Sequence, residues 1–360
     1  KEGGYFYYLT QEQIDLLEDV EGAQPGDYLP KLITDWATGF IDRQVEADRP
    51  FLIHLCHFLV HTPIVAKKEL VSKYEARRAV MHNDQDDVAY ATMVEAMDAS
   101  VGCIVDRLEA LGQLDNTLII FTSDNGGFTR GGITSNYPRM GGKSFSYEGG
   151  YRVPFIAQWP GRIPAGQILH KRVIGTDVYP TILEAAGLPL DPEQHTDGHS
   201  LMGELTQGAE GTPLPERALF FHHPHYTHAS SPHSAIIDGD YKLIRYYNDE
   251  AGRHALFNLS TDPGEQNDLV ETEPGTVTRL AQKLTAFLDE VDAELPIPIA
   301  SAEGQRLLQL HADEATKGFS PWHKDATEVM NKETERTLAL EERRVQERKL
   351  SGHGDSIENE

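Results

Sequence analysis

Cysteine is nearly missing from this chain of 360 residues, with Cys56 and Cys103 the only two. One sits in an apolar run and the other in a helical pattern, so a disulfide-built scaffold is excluded and both read as unpaired structural residues. Basic charge is also scarce: 32 Lys and Arg face 57 Asp and Glu, a formal net charge of −25. That balance speaks against a nucleic-acid partner, which needs a basic surface to neutralise phosphates. An anionic substrate would have to be captured locally. Long apolar runs are lacking too. None approaches the roughly 18 residues of a membrane span, so no membrane partner is expected, and the residues after Lys1 lack the charged-then-apolar order of a signal peptide. What is present is 39% hydrophobic content, enough over this length for a real core in one large domain with additions, or in two domains.

The hydrophobic pattern alternates between periods. Leu32, Ile33, Trp36 and Phe40 predict a helix over 31–41, and Phe51-Leu52-Ile53-His54-Leu55-Cys56 then predicts a buried strand. A second helix carries Val94, Met97, Val101, Ile104, Val105, Leu108 and Leu111 on one stripe and should end at Gly112 in a left-handed cap. Leu118-Ile119-Ile120-Phe121, bounded by polar residues, predicts an inner strand of a parallel sheet. Helices alternating with apolar strands indicate an open α/β sheet flanked by helices, mixed and mostly parallel, with ligands bound beyond the carboxyl ends of its strands. Past Pro213 the texture changes. Short strands at 218–221, 235–237, 241–247 and 255–259, with a turn at Asp238-Gly239 and a helix near 277–291, predict a smaller antiparallel α+β subdomain. The expected division is 1–212, 213–295, and a charged helical or disordered tail over 296–360.

Three constellations could carry chemistry. Asp124 and Asn125, delivered to the end of the 118–121 strand, offer one anionic and one neutral oxygen, a hard pair suited to Ca2+ or Mg2+, and Gly126-Gly127 lets the backbone turn tightly beside an ion. The same residues also suit an ordinary Asx turn. Lys143 stands among four glycines between Gly141 and Gly150, where it can place a point charge on an oxyanion or lie solvated in a loop. The run Phe221-His222-His223-Pro224-His225-Tyr226-Thr227-His228 supplies imidazoles and a phenol. Such groups offer hydrogen bonds and ring faces to a sugar, and protonated imidazole attracts sulfate. His222, His223, His225, Tyr226 and His228 are therefore candidate substrate-binding residues, with a zinc site or a plain surface loop as the other readings.

Five blocks in order resemble the type I, formylglycine-dependent sulfatases of the alkaline phosphatase superfamily. They are Phe51–Leu55 with His61-Thr62-Pro63; Tyr90, Met93-Val94 and Met97-Asp98; Phe121–Gly127; Gly141–Pro154; and Thr176-Asp177 with Pro180-Thr181 and Ala186-Gly187. Gly239–Ile244, Leu256–Leu259 and Asp262-Pro263-Gly264-Glu265 resemble the carboxyl-terminal region of that family. The resemblance implies an alkaline-phosphatase-like fold and hydrolysis of sulfate esters, best those of a sulfated sugar or polysaccharide. It implies metal roles for Asp124 and Asn125, a sulfate contact for Lys143, and for His61 a position near the leaving-group oxygen. Arg139 stays outside the expected site, because relatives often place the arginine directly before the glycines. Glu148 and Arg152 are expected to brace the glycine loop as an ion pair.

Members of that family also carry an early Asp-Asp metal pair, a Cys-or-Ser-x-Pro-x-Arg segment whose first residue becomes formylglycine, and a Lys-x-His pair; the last two do not occur in these 360 residues, and Asp86-Asp87 precedes a helix instead of ending an apolar strand. The expectation is that they lie on a segment preceding Lys1, so that this chain alone is inactive. The resemblance places the enzyme in the periplasm or outside the cell. Two alternatives remain: a phosphodiesterase or phosphonate hydrolase of the same superfamily, against which Asn125 argues because paired zinc ions favour imidazole, and a non-catalytic sugar-binding remnant.

Overall fold

A computed structural model describes residues 7–16, 22–80, 85, 87–129, 132–208, 211–226, 230–247, 253–297 and 301–306. In chain order its elements are α1 (Gln11–Leu16), α2 (Leu29–Glu46), α3 (Val71–Arg78), α4 (Val88–Ala110), β1 (Ile119–Thr122), α5 (Glu148–Tyr151), β2 (Phe155–Gln158), α6 (Val178–Ala185), α7 (Met202–Leu205), β3 (Leu219–His223), β4 (His233–Asp238), β5 (Tyr241–Tyr246), β6 (His254–Asn258) and α8 (Pro274–Glu290). The chain is mixed α/β and forms two compact units, one of residues 1–121, 131–134 and 155–214, the other of residues 122–130, 135–154 and 215–360. Of the tail expected over 296–360, residues 296–297 and 301–306 are described, with 302–306 helical, and the rest lies outside the described residues.

In the first unit α2 packs on α4. Pro30 opens α2 at a position where its missing N–H costs nothing. The face α2 buries is Pro30, Thr34, Ala37 and Ile41, and the face α4 buries is Thr92, Met93, Ala96, Ser100 and Leu108. Leu108 is the buried member of the expected α4 stripe and Met97 packs in part on the cluster that holds Met93 and Ala96, Leu32, Ile33 and Trp36 of α2 pack instead on a cluster of Leu9, Ala23 and Leu29, and Val94 is exposed. Small residues let the two backbones approach, and Thr34 Oγ1 meets Ser100 Oγ at 2.5 Å across the contact. A stripe chosen for bulk misses a helix pair joined through Thr, Ala and Ser. Asp87 caps α4 by accepting from Tyr90 N at 2.7 Å, and Gly112 closes it with φ +66°, the left-handed conformation its sequence position requires. By length and composition alone α4 could cross a membrane, which the sequence pattern did not lead us to expect. It carries Asp98 and Asp106 exposed, and Arg107 pairs with Asp42 of α2 at 2.6 Å.

β1 pairs with β2, and these are the only laddered strands of this unit among the described residues. Phe51–Cys56 does not form the predicted buried strand: it is extended with no ladder, Leu52 is 65% exposed, and both cysteines are exposed. Strand propensity becomes a strand only where a neighbouring edge accepts its N–H and C=O groups.

The second unit is built on an antiparallel sheet in the order β3-β4-β5-β6. β4 and β5 join through a two-residue loop whose first residue, Gly239, has φ +58°. Alternation sends Phe220, His222, Ser234, Ile236, Leu243 and Leu256 to one face, and Phe221, His223, His233, Ala235, Lys242, Ile244 and Phe257 to the other. On the first face α8 lays Leu280, Leu284 and Leu288, spaced by four, over Ile236, Leu243 and Leu256, and Phe287 stacks on Phe220 at 4.0 Å. The second face receives α5, and that is where the chemistry gathers.

Candidate active site

The turn after β1 is fixed by its own polar atoms. Ser123 Oγ donates to the Asn125 carbonyl and Asn125 Nδ2 to the Gly126 carbonyl, each at 2.9 Å. The second bond commits the amide's donor to the backbone, so Oδ1 is the ligand-type atom of Asn125. Asp124 beside it is exposed.

This turn is bound to the glycine-rich segment main chain to main chain. Gly126 N donates to Gly150 O at 3.0 Å, Lys143 N to Gly127 O at 3.0 Å, and Gly149 N to Met140 O at 2.8 Å. Asn136 joins the two, accepting from Gly127 N at 3.2 Å and donating to Gly141 O at 2.9 Å. A Cβ on Gly126 would stand 1.7 Å from Gly149 O, and one on Gly142 would stand 2.3 Å from Gly127 O. These glycines are therefore required by the close approach of two backbones. The sequence pattern, which gave Gly126 a tight turn beside an ion, pointed to the right residue for a different reason. Lys143 sits half-buried on this platform, followed by Ser144 at φ +72° and the buried Phe145.

Beneath the platform lies a constellation that sequence reasoning missed. Lys242 Nζ, with no exposure, is 3.1 Å from Glu148 Oε1 and 2.8 Å from Glu265 Oε1, and Glu148 N donates to Glu265 Oε2 at 2.5 Å. Burial pushes the Glu265 carboxyl up to about 6, with Lys242 pulling the other way. Glu148 does brace the glycine segment, but its ion-pair partner is Lys242, and Arg152 is exposed. The ring of Tyr151 faces the Lys242 ammonium at 5.0 Å and stacks on Phe221 at 4.3 Å. Its hydroxyl donates to His233 Nε2 at 2.8 Å, while His233 Nδ1 donates to Ser231 O at 2.9 Å. Burial holds the His233 imidazole down at about 4. A signal existed: in Tyr241–Tyr246 a lysine falls on the inward phase of an apolar strand, where an ammonium must find carboxylates.

The histidine run divides. His222 and His223 are strand residues of β3, not loop residues, and point to opposite faces of the sheet. His222 is engaged at both nitrogens, with Ser234 Oγ at 2.7 Å and Glu294 O at 2.8 Å. His223 is half-buried, lies 5.5 Å from the His233 ring, and has its imidazole pKa lowered by burial and by His225 and His222. His225 and Tyr226 are exposed beyond the strand end, and His228 lies outside the described residues. His61 belongs to the first unit, where its Nδ1 donates to the Thr62 carbonyl at 2.8 Å.

The donor set can be tested against a divalent cation. Asp124 carboxylate and Asn125 Oδ1 are hard oxygens of the kind Ca2+ or Mg2+ takes, and they fit. They are two of the roughly six or more donors such an ion needs, and no group of three or more His, Cys, Asp or Glu suited to a metal occurs among the described residues.

The chain matches the Sulfatase family over residues 3–188 and the family described as N-sulphoglucosamine sulphohydrolase, C-terminal, over residues 139–294. It is 33% identical over 285 residues to a sulfatase of Formosa agariphila, covering 72% of this chain and 50% of that protein. It is 35% identical over 191 residues to N-acetylgalactosamine-6-sulfatase of Canis lupus familiaris, covering 52% of this chain and 33% of that one. The solved complex of Ps i-CgsB with k-i-k-neocarrahexaose superposes with a TM-score of 0.65 at 28% identity, over 81% of this chain and 62% of that one. The fold is thus the alkaline-phosphatase-like one of the sulfatases. The chain spans about half the length of the Formosa relative it matches.

Proposed function

Because this chain belongs to the sulfatase family, we propose that the protein hydrolyses the sulfate ester of a sulfated sugar or polysaccharide, with the Asp124-Asn125 turn and Lys143 at the reacting group. The observation that carries this reading is the platform that joins them, in which Lys143 N and Gly127 O are 3.0 Å apart and glycines permit the contact. The names of the relatives support the substrate class, one acting on N-acetylgalactosamine 6-sulfate and one solved with a neocarrahexaose.

In the proposed reaction Lys143 places its ammonium against a sulfuryl oxygen, where charge builds as the S–O bond breaks. The family resemblance supports His61, of the first unit, as the proposed proton donor to the departing alkoxide. Asp124 and Asn125 would hold a divalent cation, which supplies further stabilisation of charge on the sulfuryl oxygens. The Cys-or-Ser-x-Pro-x-Arg nucleophile segment does not occur within these 360 residues, so on this reading the formylglycine comes from another part of the enzyme and the chain alone does not turn over. His225 and Tyr226, exposed past β3, are proposed to meet the sugar, with His223 beneath them; His222 is left out because both its nitrogens are engaged. On this reading the enzyme works in the periplasm or outside the cell, as the family resemblance implies.

The test compares aryl sulfate with aryl phosphate on the enzyme carrying these residues together with the nucleophile segment. Sulfate turnover should dominate, and Lys143→Ala should lower kcat by about a hundredfold or more. Dominant phosphate turnover, or an unaffected Lys143→Ala enzyme, would overturn the assignment.

A further inference from the structure

A buried ammonium is expensive. Taking Lys242 out of water costs several kcal/mol even when it is paired, and a well-packed apolar side chain in its place is often at least as stable. Its presence in the middle of β5 therefore needs a reason other than stability. Each of its contacts leads to the platform. Glu148, its first partner, opens α5, and the next two residues, Gly149 and Gly150, bond to Met140 O and accept from Gly126 N. Glu265, its second partner, holds the main-chain N–H of Glu148 with its other oxygen. The loop bearing Glu265 is itself shaped to present that carboxylate. Glu265 takes φ +54°, uncommon for a side chain of its size, and Gly264 packs so tightly that an added Cβ would be 2.8 Å from Pro138 O.

We infer that Lys242 is a positioning residue, which through Glu148 and Glu265 clamps the carboxyl-terminal sheet to the glycine platform and so sets the backbone of Asn125 and Lys143. The clamp gains its functional meaning from the sulfatase reading, but its mechanical content is measurable without substrate.

The experiment is amide hydrogen exchange on the full chain, following peptides that contain Gly126-Gly127 and Lys143–Phe145 against those of β4 and α8. Lys242→Met keeps an unbranched side chain one atom shorter and removes the charge. Platform amides should exchange about tenfold faster or more while α8 amides are unchanged. Equal loosening of platform and α8, or of neither, overturns the clamp. Because Lys242→Met strands two carboxylates and could fail to fold, a second measurement uses pH. Glu265 faces Lys242 of β5, Tyr147, and Glu148 and Tyr151 of α5, and the same face of the sheet bears Tyr246 of β5 and His233 of β4. Its carboxyl, held up at about 6 in the closed platform, returns toward 4.5 when exposed. Platform opening, corrected for intrinsic exchange, should therefore become about tenfold rarer or more between pH 7.5 and 4.5, and Glu265→Gln should flatten that dependence. An unchanged pH profile in Glu265→Gln refutes the inference, whereas lack of sulfate turnover by the wild-type enzyme counts against the sulfatase reading alone.

Discussion

Acidification should weaken the second unit through one imidazole. His233 is 2% exposed, donates from Nδ1 to Ser231 O, and accepts at Nε2 from the Tyr151 hydroxyl. A second ring proton has nowhere to go unless the bond to Tyr151 breaks. The folded-state midpoint falls from 6.5 to about 4. A depressed histidine contributes stability that is present above its unfolded midpoint and lost as pH falls, here from pH 6.5 toward 4. The loss is about 2 kcal/mol by pH 5 and about 3 kcal/mol by pH 4. The perturbation is His233→Phe, which removes the titration. Stranding the Tyr151 hydroxyl adds a cost that does not vary with pH, since burial raises that hydroxyl's midpoint further above its ordinary range. Glu265 contributes with the opposite sign: its raised carboxyl gives stability fully present below 4.5 and lost as pH rises through about 6. That contribution is common to both proteins and cancels in their difference. The assay is urea-dependent amide exchange in β4 and β5, which reports this unit. The stability advantage of wild type over His233→Phe should shrink by about 3 kcal/mol between pH 7.5 and 4. A difference that stays constant over that range would refute the account of His233 as a neutral, doubly bonded core residue.

Gly126→Ala should disrupt the platform outright, because its Cβ would meet a carbonyl oxygen at 1.7 Å and backbone cannot rotate aside; proteolysis within residues 122–129 under native conditions should rise, and an unaltered cleavage pattern would show the contact to be looser. Leu284→Ala, at a fully buried α8 position against Leu243 and Leu256, should cost about 2–5 kcal/mol in urea unfolding. Asp238→Asn should cost less than about 1 kcal/mol, because Arg279 and Lys283, which it meets at 2.7 and 2.9 Å, are 50% and 51% exposed and water screens both pairs.

The carboxyl-terminal sheet was legible because its strands alternate strictly and its turn is marked by Asp238-Gly239; each predicted strand falls within a residue or two of β3 to β6. The helices were legible by position and in part by face: Leu32, Ile33, Trp36 and Leu108 pack as apolar bulk, whereas the buried Thr34 and Ser100, which meet between α2 and α4, do not register as such. Phe51–Cys56 has strand composition and no ladder, which composition cannot reveal. At the site, Asp124, Asn125 and Lys143 could be picked out as residue types with chemistry. What joins them is a set of main-chain contacts between segments some twenty residues apart, and the sequence records those only as glycines. Lys242 and Glu265 lie far enough apart, and far enough from Glu148, that pairing them needed the register of the sheet.

That register also separates the two lysines of this unit. Lys242 is wholly buried with a carboxylate on each of two sides and an aromatic face on a third, so its charge is already committed and it cannot answer charge that develops on a substrate. Lys143 is half-buried, on a backbone fixed by its own N–H. The same distinction sorts the histidines. His222, bonded through both nitrogens to Ser234 and Glu294, stabilises the sheet and the end of α8, and His233 is locked against Tyr151. His225 is exposed beyond β3. The environment therefore gives residues of one type different settings: Lys242, His222 and His233 are held by partners inside the unit, whereas Lys143 is only half-buried and His225 is exposed.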